Sequence, residues 1–164
     1  MDKKEEALRE NLTALLTGEM ARMPFEEAIK DFPMDRINDR LPNADYSPYG
    51  LLEHIRLGQE DIVDFIRNPE YKYKEWPRDY WPPKDKKATP ADWRKSVSGF
   101  QKDFNDLQAM IADPKRDLYA EVPWGEGETF LREIVTVSNH NAFHLGEFAI
   151  TRQAMGTWGK GHRE

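Results

Sequence analysis

Histidine is scarce in this 164-residue chain, with four in all, and two of them, His140 and His144, stand four residues apart. At 3.6 residues per turn, that spacing puts both rings on one face of a helix, one turn apart. Two imidazoles placed in this way are a pair of nitrogen ligands for one metal ion. His54 is the candidate for a third. It follows Leu51 by three positions and precedes Ile55 by one, at the edge of an apolar stripe and pointing inward or nearly so. Three neutral nitrogen ligands would hold one divalent ion and leave a coordination position open, as catalytic zinc sites do. The opposing reading is that a lone histidine on an apolar face is more often a hydrogen-bonded core residue than a ligand. That reading weighs on His54 more than on the pair. His162 lies in the C-terminal tail and is set apart from the triad.

Neighbours on the same faces extend the pattern. Glu147 is three residues after His144 and seven after His140. It is a candidate fourth ligand, a general base for proton transfer, or an acidic partner for an imidazole N–H. A solvated carboxylate at the edge of the helices is the plain alternative. Gly58, one turn after His54, leaves room for a substrate or for a close helix contact, and helix packing is the more common reason. Asp61 continues the His54 stripe as a supporting carboxylate. Glu53 and Asn141 flank ligands in sequence but are expected to point elsewhere.

Four helical segments can carry these residues, each marked by apolar positions recurring at three and four. The first covers 3–19, and a short helical piece covers 25–32. The second runs from Ser47-Pro48 to about residue 68, with serine as cap and proline in the first turn. The third starts at Thr89-Pro90-Ala91-Asp92, a capping box, and ends before Pro114. The fourth runs from Thr129 to Met155, with Gly156 as its stop. Residues 118–124 read as extended, and Gly125 and Gly127 as a turn. Between the second and third helices, 69–88 holds four prolines and five Tyr or Trp residues. It cannot be a regular helix. Its length suits a crossover or a functional loop, and its aromatics are expected to pack outside the helices rather than face a ligand. The pattern predicts an all-α fold over 1–164, a four-helix bundle with this long connection and a loosely ordered tail from 157.

Composition narrows the partners. With 24 Lys and Arg against 30 Asp and Glu, the formal net charge is -6, which argues against nucleic acid and against an anionic membrane surface. There is no cysteine, so any metal must be held by nitrogen or oxygen. No apolar stretch approaches the roughly 20 residues of a membrane span. The N-terminus MDKKEEALRE lacks a secretory apolar region. The expectation is a soluble, cytoplasmic protein acting on a small molecule.

Two segments resemble a known family. The stretch from Thr129-Phe-Leu-Arg-Glu through His140-Asn-Ala-Phe-His144-Leu-Gly-Glu, with Arg152 and Met155-Gly-Thr-Trp158, resembles the last helix of DinB-like (YfiT-like) proteins. Ser47-Pro-Tyr-Gly-Leu-Leu-Glu-His54-Ile resembles that family's second helix. Trp76-Pro and Tyr80-Trp-Pro-Pro resemble the linker of one subgroup. The resemblance covers essentially the whole chain. It implies a four-helix bundle whose triad, here His54, His140 and His144, holds zinc or nickel. It also implies homodimers, and in some relatives a thiol-dependent transferase or isomerase using a low-molecular-weight thiol. Position 147 departs from the pattern, being acidic where many relatives have glutamine. The leading expectation is a metal-dependent hydrolase or thiol transferase. The alternative is a non-catalytic, stress-linked bundle that binds metal or ligand.

Overall fold

The computed structural model describes residues 2–159, and all of its regular elements are helical. Helix α1 spans Lys3–Thr17, α2 Phe25–Ile29, α3 Pro48–Arg67, α4 Pro90–Ala112 and α5 Phe130–Met155, with a 3₁₀ turn at Met34–Arg36. The ends follow local chemistry. The side chains of Asp2, Ser47, Thr89 and Thr129 accept hydrogen bonds from first-turn amides, satisfying donors that a helix leaves free. Thr89 and Asp92 form the expected capping box. Gly18 and Gly156 end α1 and α5 in the left-handed conformation that glycine adopts without strain. The segment 118–124 makes only an isolated bridge, Glu121 to Thr129, and no strand forms among the described residues.

Cross-contacts fix helix direction. Ser96 Oγ donates to Glu53, Gln59 donates to the Phe100 carbonyl, and Arg67 pairs with Asp106. The partners advance together, so α3 and α4 run parallel. Partners on α5 run the other way: His54 meets His144, while Gly58 lies against His140. Helices α3 and α5 are therefore antiparallel. A helix of 20 residues is about 30 Å long, so a parallel neighbour requires the chain to travel back over that distance. Residues 69–88 make this return.

The core is split. One apolar cluster joins the N-terminal part of α3 (Leu51, Leu52, Ile55) to Trp93 and Phe100 of α4 and to Leu145 and Phe148 of α5. The other joins Leu12 and Leu16 of α1 to Val63, Ile66, Leu107, Ile111, Ile134 and Val137. Between the two, α3 and α5 contribute buried polar side chains: His54, Gln59, Ser138 and Asn141. This polar layer is where the histidines sit.

Two buried arginines tie the ends down. Arg9 donates to the carbonyls of Asp113 and Arg116, where α4 stops. Arg152, 1% exposed, donates to the carbonyls of Ala28, Lys30 and Thr157, and its guanidinium lies 3.9 Å from the Trp158 ring. Thr157 and Trp158 are thus packed against Arg152. Residues 160–164, including His162, lie outside the described residues.

Candidate metal centre

His54, His140 and His144 converge, each offering a ring nitrogen, with all three nitrogens within 4.8 Å of one another. His54 Nε2 lies 3.1 Å from His144 Nε2 and 3.4 Å from His140 Nε2. Imidazole nitrogens on one tetrahedral zinc, each about 2.05 Å from it, stand about 3.3 Å apart. The two distances bracket that value.

The far nitrogens decide what the near ones present. His54 Nδ1 is 2.8 Å from the Tyr80 carbonyl, which only accepts, so Nδ1 carries the hydrogen. His144 Nδ1 is 2.7 Å from a Glu147 carboxylate oxygen, which again assigns the hydrogen to Nδ1. For His140 the assignment passes through two amides. The Phe100 carbonyl accepts from Gln59 Nε2, which turns Gln59 Oε1 toward Asn141 Nδ2. Asn141 Oδ1 then faces His140 Nδ1 at 3.3 Å and accepts from it. In the neutral rings all three Nε2 atoms therefore present lone pairs to one another. No hydrogen bond can form among three lone pairs, and a cation placed between them would satisfy the set. Burial, the largest cause for each ring, pushes both His54 and His140 down to about 4, which disfavours a proton on either. Imidazole nitrogens without thiolates suit zinc, copper, iron or nickel.

The surroundings fix the rings. Trp81 stacks on His54, with centroids 4.0 Å apart and planes 3° from parallel. Asp61 accepts from the hydroxyls of Tyr71 (3.0 Å) and Tyr80 (2.6 Å), holding the connection on α3. Tyr80 thus places its own carbonyl against His54. Gly58 has a steric role: a Cβ there would meet His140 Cε1 at 2.6 Å. Its absence seats the His140 ring at the edge of a cavity that Gly58 also lines.

Beside the histidines lies a cavity of about 400 Å³ between α3 and α5, roofed by the connection. All three histidines line it, together with Tyr71, Tyr73, Trp76 and Tyr80. The aromatics of 69–88 therefore face the site, contrary to the expectation that they pack outside. An irregular segment has no periodicity from which ring directions can be read. Glu147 lies behind His144, on the Nδ1 side, so among its expected roles the geometry gives the acidic partner of an imidazole. Glu53 does point elsewhere, to Arg56 and Ser96. Asn141 does not: it is fully buried and touches His140. Asn141, Gln59 and Trp81 are the site residues that sequence reasoning missed. For the two amides a signal existed, since each is a polar residue on a face otherwise buried.

No protein-family model, no curated protein and no solved structure matches the chain. No helix among the described residues is long and apolar enough to cross a membrane.

Proposed function

We propose that this chain is a metal-dependent enzyme of the DinB-like kind, a four-helix bundle that binds one zinc or nickel ion through His54, His140 and His144. The observation that carries the reading is the convergence of three Nε2 lone pairs whose opposite nitrogens are all engaged. A cavity adjoining the same three rings supports catalysis over a closed structural site, since a ligand can approach from that side. When bound, a divalent ion with three neutral ligands supplies a strong Lewis acid with an exchangeable position. The chain's own residues do the rest. Tyr80, Glu147 and the Gln59–Asn141 pair orient the rings, and Trp81 covers His54. The reaction class is hydrolysis, or transfer of a low-molecular-weight thiol to a small electrophile.

The test is turnover with and without metal. Zinc- or nickel-loaded protein is incubated with a p-nitrophenyl ester, and separately with bacillithiol or mycothiol plus chlorodinitrobenzene. Metal-dependent turnover that disappears in His140→Ala is expected for at least one pairing. Metal uptake with no metal-dependent turnover across a broad panel would favour a binding protein instead.

A further inference from the structure

Beyond the histidines, the cavity carries a charge with no counterpart. Glu133 stands seven residues before His140 on α5, two turns away on the same face, and lines the same cavity. Its residue is only 7% exposed. Among the described residues its carboxylate has no hydrogen-bond donor and no ion-pair partner. The other carboxylates of the cavity are answered: Glu128 pairs with Arg132 at 2.9 Å, and Asp61 takes two tyrosine hydroxyls with Lys74 Nζ at 3.6 Å. Burial pushes the Glu133 carboxyl upward, the charges of Glu128 and Asp61 add to the rise, and Arg132 opposes it. A carboxylate in a largely buried residue, met by no donor of the chain, gains from a cation placed beside it.

The cavity wall supplies the other half of a cation site. Tyr73, 67% exposed, lines the cavity on the Glu133 side, whereas the Trp76 ring stands edge-on to His54 at 6.1 Å, at the histidine end. Tyr71 meets Tyr73 edge to face at 5.2 Å. Aromatic faces attract organic cations, and more strongly when a carboxylate stands nearby.

We propose that this cavity binds a small molecule through an alkylammonium group, with Glu133 as its counter-ion and the ring of Tyr73 as its wall. Seven residues of helix rise about 10.5 Å, so the ammonium end lies about that far along α5 from the His140 end. The substrate class is then an amine whose reactive group sits at the opposite end of a short chain. This deepens the enzymatic reading and names its substrate class. The ammonium subsite itself stands on Glu133 and the aromatic wall whether or not metal binds.

The probe is n-butylammonium, compared with n-butanol, titrated into chelator-treated and into zinc-loaded full-length protein and followed by protein NMR shifts. n-Butylammonium is expected to bind about tenfold tighter than n-butanol, with shifts at Tyr73 and Glu133. Glu133→Gln should erase the preference. Tyr73→Leu, at an exposed position that leaves folding intact, should weaken n-butylammonium several-fold and leave n-butanol nearly unchanged. Equal binding of the two probes, or a preference that survives Glu133→Gln in folded protein, overturns the proposal. A preserved preference in protein that takes up no zinc would sink the metal reading and leave this one standing.

Discussion

The three histidines differ in how they are held, and the difference sets what each neighbour does. His144 leans on a carboxylate, His54 on a backbone carbonyl and His140 on an amide relay. A carboxylate behind a ligand raises its basicity, and loss of such a partner typically costs 10–100-fold in metal affinity. Glu147→Gln is therefore expected to weaken zinc binding by about tenfold, measured by competition with a chelating dye. Gly58→Ala should weaken it as much or more, because the new Cβ occupies the His140 ring position. Its helix content should not fall, since alanine favours helix over glycine by about 1 kcal/mol. Unchanged affinity in Gly58→Ala would show that the His140 ring is seated by something other than the glycine. The pair at 140 and 144 was legible from spacing alone. His54 was not, because a histidine beside an apolar stripe looks the same whether it ligates or packs, and the family resemblance carried it.

Helix starts and stops were readable because their causes are local: a capping side chain, a proline in the first turn, a glycine after the last. What joins the helices was hidden, because it depends on long-range partners. Arg152 illustrates this. Nothing local in the sequence shows that it holds α2 and the start of the tail by three carbonyls. Arg152→Met keeps the volume and removes those donors. A loss of about 3 kcal/mol in chemical denaturation is expected. A change below about 0.5 kcal/mol would mean that water replaces the guanidinium without cost. The 69–88 connection is the other hidden feature. Its length announced a crossover, but the direction of its rings follows from Asp61 and His54, 10 to 27 residues earlier in the chain.

At the scale of the whole molecule, two apolar clusters flank a polar layer, and the fold also carries groups that do not favour it. Glu133 is the clearest. Its folded-state carboxyl is raised above the ordinary value of 4.5, so the folded protein holds its proton more tightly than the unfolded chain does. The ionised form is penalised at pH above the raised value, and the penalty is lost as pH falls through that value and is gone below 4.5. The facing charges are Asp61 on α3, Arg132 on α5 and Glu128 just before it. Glu133→Gln is thus expected to raise the melting temperature of ligand-free protein at pH 7, and to make little difference near pH 4. Equal melting at both pH values would show that the charge is already compensated.

The central claim is that three lone pairs await one ion. Its most direct measurement is metal content after zinc or nickel loading of protein purified without a histidine tag, read by elemental analysis against His140→Ala. One ion per wild-type chain is expected, with the variant losing most of it while keeping its helical signal. A wild-type chain that takes up no divalent ion would contradict the account at its root.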